Sequence, residues 1–209
     1  MNAITLLKAD HKTVKTLFKQ FEQLGDNARS EKKKVVERII KELAVHAVIE
    51  EQVLYPAARK AVPDGEEDVL EALEEHHIVK WTLSELEKMS PEEERFDAKV
   101  SVLIESVRHH IEEEEGELFP KLRQAIGRKE LEALGASLEA AKKVAPTHPH
   151  PRAPDTPPGN LVAGAGAALV DRVADGVVEA GKSIAKKVKR ATKAAPKRGK
   201  TASKSRARA

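Results

Sequence analysis

The segment HAVIEEQVLYP, residues 46–56, has a counterpart later in the chain, HIEEEEGELFP, residues 110–120. Each begins with His, has Glu at its fifth and sixth positions and Leu at its ninth, and ends with an aromatic residue followed by Pro. A second pair of segments repeats as well, because DHKTVK at residues 10–15 matches EHHIVK at residues 75–80. The pattern indicates two related halves that supply the same set of polar side chains.

Four long stretches between residues 1 and 127 place apolar residues at steps of three and four, the spacing of amphipathic helices. Turn-forming residues interrupt the pattern at residues 25–27, 63–65 and 90–93, and the third break, Ser-Pro-Glu-Glu, has the composition of a helix start. Because these connections are short, we expect antiparallel neighbours in an up-down-up-down four-helix bundle. With a short fifth helix predicted over residues 128–143, the fold class is all-α.

Three parts of different composition are predicted along the chain. Residues 1–144 form the bundle, residues 145–160 are a Pro-rich linker, and residues 161–209 are an Ala/Gly/Lys-rich basic tail, weakly helical and then disordered. Residues 182–209 contain 12 Lys or Arg and no acid, so the net charge of +3 conceals an acidic body with a basic end. Such an end can bind nucleic acid nonspecifically, contact a membrane surface or a partner, or only be solvated.

Composition excludes several classes of protein. Cysteine is absent, which rules out disulfides, thiolate ligands and thiol nucleophiles. The chain has no apolar run of about 18 residues, so no transmembrane segment is predicted. The first residues lack the features of a secretory signal, and we therefore expect a cytoplasmic protein. No Gly-rich phosphate loop, organic cofactor motif or catalytic nucleophile is evident.

Six ionisable residues occupy the apolar stripes at positions where a bundle core would otherwise take Leu. They are His11, His46, Glu50, His76, His110 and Glu114. Burial of a lone carboxylate costs several kcal/mol, so these groups must be satisfied together. Residues four apart share a helix face, and His46 with Glu50 could therefore offer an imidazole and a carboxylate to one point, as could His110 with Glu114. The pattern predicts two metal ions bridged by two carboxylates.

The donor atoms limit the choice of metal. Imidazole and carboxylate without sulfur suit iron, manganese or zinc. Paired sites in helix bundles are typically di-iron or di-manganese, whereas structural zinc sites mostly include Cys. The donor atoms therefore favour a pair of iron or manganese ions over zinc.

Other polar residues adjoin the six predicted ligands. The distance to the proline that ends each repeated segment selects His110 rather than His109, and the apolar stripe selects the same residue. His77 and His109 are therefore expected around the cluster or at the surface. Glu51 and Glu115 are either solvated or orient an imidazole from outside. The aromatic residue before each of these prolines is expected to pack in the core.

Together, DH, HxxxEExxLYP, EH and HxxxEExxLFP resemble the haemerythrin family, in its HHE cation-binding branch, over residues 4–125. The resemblance implies a four-helix bundle that holds a non-haem di-iron centre with an oxo or hydroxo bridge, and it thereby favours iron over manganese. It assigns the terminal and bridging ligands as follows. The terminal ligands would be His11, His46, His76 and His110, and the bridging ligands would be Glu50 and Glu114.

One departure from the family pattern bears on function. The oxygen-carrying members have a second His one turn later on the third helix, where this chain has Lys80, and their fourth-helix acid is an Asp five residues after its His. One iron would therefore have a ligand missing or replaced. The expected function is binding of dioxygen or another small oxidant, or sensing of iron or redox state. Two alternatives remain open: a nucleic-acid-associated protein acting through residues 182–209, and an enzyme that consumes peroxide or nitric oxide.

Overall fold

The computed structural model describes residues 1–161, 163–173 and 175–176, and every regular element in these ranges is helical, which confirms the predicted fold class. The helices are α1 (Ala3–Glu22), α2 (Arg29–Ile49), α3 (Tyr55–Ala61), α4 (Gly65–Lys88), α5 (Phe96–Glu113), α6 (Phe119–Ala125) and α7 (Arg128–Lys142). Two five-residue π-helical turns, π1 (Glu50–Leu54) and π2 (Glu114–Leu118), join α2 to α3 and α5 to α6. Within the described ranges no helix is long and apolar enough to cross a bilayer.

Helices α1, α2, α4 and α5 form the bundle. α1 packs against α2 and α4 against α5, while contacts of α2 with α4 and of α1 with α5 join the two hairpins. We call α1 to α3 the first hairpin and α4 to α6 the second hairpin. Two apolar clusters fill the bundle, one around Phe18, Leu83 and Phe96 and the other around Leu7 and Leu54. The predicted metal ligands lie along the helices between these clusters.

The start of α5 differs from the prediction. The backbone N–H of Ser90 donates to Glu93 Oε1 at 2.7 Å, as in a helix cap, but the helix itself begins only at Phe96. Glu93 N bonds Ser90 O and Phe96 N bonds Glu93 O, both to a residue three positions earlier. These are turn bonds, and they delay the regular helix by one and a half turns.

Helix α7 closes one side of the bundle. It packs against α1, α2 and π1, where Leu131 and Leu138 are buried in the second apolar cluster. Gly135 allows this approach, because a Cβ atom there would lie 2.8 Å from Ala3 N and also against the backbone oxygen of Met1. The predicted fifth helix is therefore part of the core rather than an appendage.

The Pro-rich segment contacts the bundle surface. Gln52 Nε2 donates to the Asn160 carbonyl at 3.1 Å, and the Arg152 guanidinium lies 5.8 Å from the Trp81 ring centroid. Residues 159–161 and 163–173 are helical. The disordered end and the basic stretch predicted for residues 182–209 lie outside the described residues.

Substitution of Gly135 by Ala should destabilise the protein by about 1–3 kcal/mol, since the added methyl group would force α7 away from the first residues of α1. The effect is opposite to the helix propensity of Ala, which alone would stabilise by up to about 1 kcal/mol. Gly166→Ala is the control, because a Cβ atom at this helical position meets nothing within 4 Å. Denaturant unfolding of both variants checks this, and a neutral Gly135→Ala would show that α7 is not tightly packed.

Candidate metal centre

The structure brings all six predicted ligands together in the centre of the bundle, and we refer to them as the central cluster. Each comes from a bundle helix or from the π turn that continues it. Every member is at most 5% exposed, and Glu50 is fully buried. The two repeated segments therefore converge on one point, as the spacing predicts.

Each carboxylate of the central cluster lies between imidazoles from the two hairpins. Glu50 Oε2 is 3.1 Å from His46 Nε2 and 3.5 Å from His76 Nε2. Glu114 Oε2 is in turn 3.3 Å from the Nε2 atom of His11 and 3.6 Å from that of His110. This is the placement that two bridging carboxylates need.

The donor atoms divide into two overlapping groups. The first group consists of His11, His46, Glu50 and Glu114, and the second of Glu50, His76 and His110. Within each group the ligand atoms lie within 4.8 Å of one another. One group thus offers four side chains and the other three, with Glu50 common to both.

The π turns position the carboxylates. Pro56 and Pro120 lack an N–H and would collide with the carbonyl four residues earlier in a regular helix. The chain widens instead, so that Tyr55 N bonds Glu50 O and Phe119 N bonds Glu114 O, five residues back. The wide turn begins in both halves at the carboxylate of the central cluster. The proline of each repeated segment therefore helps to position a carboxylate of the central cluster.

Four further carboxylates surround the central cluster, one for each imidazole, and we call them the outer carboxylates. His11 Nδ1 contacts Glu115 Oε1 at 2.9 Å, and His76 Nδ1 contacts Glu51 Oε1 at 3.1 Å. His110 Nδ1 contacts Glu75 Oε2 at 2.6 Å, and His46 Nδ1 lies 3.9 Å from Asp10 Oδ2. In the first three rings an acceptor at Nδ1 leaves the Nε2 lone pair directed at the centre, whereas His46 Nδ1 is near its carboxylate without a hydrogen bond.

The outer carboxylates follow the sequence repeat. The acid that precedes the His of α1 or α4 faces the other His of the same hairpin. The Glu that follows each central carboxylate reaches the opposite hairpin. Of the two interpretations open for Glu51 and Glu115, the structure supports the one in which they orient an imidazole. Asp10 and Glu75 were missed, although the acid of each DH or EH pair was the available signal.

Lysine side chains pair with three of the outer carboxylates. Lys80 Nζ donates to Glu51 Oε1 at 2.9 Å and is only 5% exposed. Asp10 pairs with Lys142 at 2.5 Å, and Glu115 pairs with Lys15 at 3.4 Å and with Lys8 at 3.6 Å. Lys80 stands where the oxygen carriers have a further His, and it neutralises an outer carboxylate instead of joining the central cluster.

Several buried oxygens in the central cluster have no hydrogen-bond partner among the described residues. They are both carboxylate oxygens of Glu50 and the Oε2 atom of Glu114. A buried unpaired carboxylate is costly, and protein groups do not relieve that cost here. Cations bound between the imidazoles would satisfy these oxygens, so the residues present fit a pair of metal ions.

The pKa values of the central cluster also show that burial disfavours its charged side chains. Burial raises the pKa of Glu50 well above its ordinary value, and the nearby Glu114 carboxylate adds to the rise. Burial lowers the pKa of His76 and His46, and neighbouring imidazoles lower both further. For His110, burial also opposes the charge, but the carboxylates of Glu114 and Glu75 outweigh it and raise its pKa.

Tyr55 reaches the central cluster, although its position predicted only core packing. Its ring is buried, and its hydroxyl donates to Glu114 Oε1 at 3.1 Å and lies 3.2 Å from His76 Nε2. The equivalent residue of the second hairpin, Phe119, stacks on the His11 ring without a polar group. The sequence signal was the Tyr-for-Phe difference between two otherwise matching segments.

His77 and His109 lie outside the central cluster, as expected. His77 accepts a hydrogen bond from Trp81 Nε1 at 3.1 Å. His109 is 67% exposed and contacts Glu113 Oε1 at 3.1 Å. The register chosen from the apolar stripe thus agrees with the structure.

Comparison with known proteins points to one family. The family described as "Hemerythrin HHE cation binding domain" matches residues 2–122. An uncharacterized hemerythrin-like protein of Schizosaccharomyces pombe is 38% identical over 135 residues, which are 64% of this chain and 66% of that protein. A DNA nickase of Nostoc sp. is 31% identical over 142 residues, which are 68% of this chain and 39% of the nickase. The chain thus spans less than two-thirds of either relative.

A solved structure agrees with these sequence relationships. The crystal structure of a hemerythrin HHE cation binding domain-containing protein from Mycobacterium kansasii is similar to this chain, with a TM-score of 0.60 and 26% sequence identity. The similarity covers 68% of this chain and 86% of the mycobacterial chain.

The raised pKa of Glu50 makes a prediction about the metal-free protein. The neutral Glu50 carboxyl contributes fully to the stability of the folded protein at pH values below its ordinary pKa of 4.5. This contribution is lost as the pH rises through the raised pKa of the folded state. Glu50→Gln removes this titration, so the variant should be more stable than the parent by about 1–3 kcal/mol at pH 8, and the difference should vanish near pH 4.

Unfolding by denaturant across this pH range, in the presence of a chelator, measures the difference. Exposed Glu37 provides the control, since Glu37→Gln should follow the parent protein at every pH. Parallel pH profiles for Glu50→Gln and the parent would show that Glu50 is not held in its neutral form.

Proposed function

This chain belongs to the family of haemerythrin HHE cation-binding domains, and we propose that its central cluster holds a pair of iron ions. His11 and His46 would bind one ion, and the other two imidazoles the second. Glu50 and Glu114 would bridge them. The observation that carries the proposal is the position of each buried carboxylate between imidazoles of both hairpins, with oxygens that no group within residues 1–161, 163–173 and 175–176 satisfies.

The unequal donor groups support binding of a small oxidant. Glu114 lies nearer to the group of His11 and His46 than to His110, so the second ion would hold this bridge less closely and would have a coordination position open to a ligand. Lys80 does not fill that position, because its ammonium group is engaged with Glu51. We propose dioxygen or another small oxidant as the ligand, with a role in binding it or in reporting iron and redox state. When bound, iron supplies one-electron redox chemistry.

The protein groups around the centre have three roles in this proposal. Glu115, Glu51 and Glu75 fix the rotation of three of the imidazoles, so that Nε2 faces the centre. The two apolar clusters keep bulk water away from both ends of the site. The Tyr55 hydroxyl donates a hydrogen bond to one oxygen of Glu114 and so places a hydroxyl group beside the central cluster.

Anaerobic reconstitution with ferrous iron tests the proposal. We expect about two iron ions per chain and, after exposure to air, the near-ultraviolet absorption of paired ferric ions. Glu50→Leu combined with Glu114→Leu should reduce uptake below about one iron, because both bridges are removed. The control replaces the exposed Glu37 and Glu105 by Leu. Stoichiometric uptake by the Glu50/Glu114 variant would refute the assignment.

Turnover distinguishes binding from catalysis. An open position beside a redox-active ion would also support an enzyme that consumes peroxide or nitric oxide. Multiple turnovers by the iron-loaded protein, lost in the Glu50/Glu114 variant, would favour that alternative. A single stoichiometric reaction would favour binding or sensing.

A second candidate function is association with nucleic acid through residues 182–209. Two observations favour it: the 12 basic residues of this stretch, and the similarity of the chain to a protein named DNA nickase. Binding to duplex DNA should weaken steeply between 50 and 200 mM salt, because Lys and Arg displace counterions from phosphates. Deletion of residues 182–209 should abolish it. Binding that ignores salt, or that survives the deletion, would exclude this role.

A further inference from the structure

We propose that an acidic cavity between α4 and α5 is the route by which divalent cations reach the central cluster. The inference rests on the proposed metal-binding function and adds to it the path of uptake. The cavity has a volume of about 150 Å³. Its walls carry five carboxylates, which we call the acidic vestibule: Asp68, Glu71, Glu75, Glu113 and Glu117.

The floor of the vestibule is the central cluster itself. His110 and Glu114 line the cavity, although each is at most 5% exposed. Glu114 Oε2 has no hydrogen-bond partner among the described residues, so a residue that lines the cavity carries a buried, unsatisfied oxygen. The vestibule thus connects solvent to a group that a cation would satisfy.

The mouth of the vestibule offers a first point of contact. His109, Glu113 and Glu75 place a nitrogen and two carboxylate oxygens within 4.8 Å of one another. Glu75 also contacts the His110 Nδ1 atom at 2.6 Å, so the same side chain belongs to the mouth and to the support of the central cluster. A cation held at this point has moved next to its final ligands.

The sequence repeat shows that the vestibule is particular to the second hairpin. The residues of the first hairpin that correspond to Asp68, Glu71, Glu113 and Glu117 are Ala3, Leu6, Ile49 and Val53. All four are apolar and belong to, or pack against, the second apolar cluster. Helix α7 covers this side by packing on α1 and π1. One of two equivalent openings is therefore sealed, and the other is open and acidic.

The distribution of lysines reinforces the difference. Asp10, Glu51 and Glu115 each pair with lysine, whereas no Lys or Arg of the described residues pairs with Glu75. Lys121 contacts Asp68 at 2.7 Å and Glu117 at 3.8 Å, so one cation offsets part of the charge of the five acids. The vestibule keeps a net negative charge, which concentrates cations.

A second cavity near the centre is unsuited to cations. It is lined by Glu51 and Tyr55, but Arg59 and Lys60 also line it. Arg59 is paired with Glu66, and Lys60 offsets the charge of Glu51, so this approach lacks the excess negative charge that would attract Fe²⁺, while a neutral molecule such as dioxygen is indifferent to it. Of the two approaches, the charge pattern assigns cation uptake to the acidic vestibule.

The rate of anaerobic iron uptake tests the inference. Full-length metal-free protein is mixed with Fe²⁺, and a ferrous chelator added at timed intervals traps iron that has not yet entered. The vestibule variant is Glu71→Gln, Glu113→Gln, Glu117→Gln, which leaves the central cluster and the outer carboxylates intact. Its uptake should be about tenfold slower at low ionic strength, with unchanged final iron per chain.

A charge-matched control separates local from global electrostatics. Glu31, Glu37 and Glu94 are exposed and lie at least nine residues along the chain from the nearest member of the central cluster. The triple Gln variant at these positions should load iron within about twofold of the parent rate. Circular dichroism confirms that both triple variants keep the parent helicity.

The parent protein provides an independent measurement. Its uptake rate should fall as salt is raised from 20 to 500 mM, because screening shortens the range of the vestibule charge, and the vestibule variant should lose most of that dependence. A vestibule variant that takes up iron at the parent rate, or a parent rate that does not depend on salt, would overturn the inference. If the parent still binds two iron ions per chain in that case, the proposed function stands. Failure of the parent to bind iron would overturn both.

Discussion

The burial of two carboxylates among four imidazoles is the constraint on which the rest of the structure depends. In a bundle core these positions would ordinarily hold apolar side chains, and neither oxygen of Glu50 has a hydrogen-bond partner in the part of the chain that the structure describes. Such a cluster is unfavourable for folding on its own, and a ligand that binds only the folded state recovers that free energy. The outer carboxylates contact the imidazoles, and three of them pair in turn with lysines, so that charged groups of alternating sign extend from the central cluster towards the surface.

Duplication explains the form of the site, and its imperfections explain what the site can do. Both hairpins supply two imidazoles, a central carboxylate, a π turn and two outer carboxylates. They differ in three ways: Tyr55 corresponds to Phe119, buried Lys80 to the more exposed Lys15, and the acidic vestibule to the surface beneath α7. Each difference gives one hairpin a hydroxyl group, a buried ammonium group or an acidic cavity that the other hairpin lacks. The symmetry places equivalent ligands on both sides of the proposed metal pair, and the asymmetry makes the surroundings of the two sides unequal.

The π turns connect backbone chemistry to the centre. A proline removes one backbone donor and widens one turn, and in both hairpins that turn begins at the carboxylate of the central cluster. Glu51 is buried beside Glu50 as a consequence, and burial raises its pKa to about 7, although Lys80 opposes the rise. A single local irregularity therefore positions a central carboxylate, an outer carboxylate and the following aromatic residue in each half.

The sequence by itself determined the all-helical bundle and the six residues that meet at its centre, because apolar periodicity and the internal repeat are local properties of the chain. It also determined the family, through four motifs at matching intervals. Only the tertiary structure decided which acid faces which imidazole, that Tyr55 reaches Glu114, and that α7 seals one opening while the other stays acidic. These outcomes depend on distances between helices far apart in sequence, which spacing along one helix does not encode.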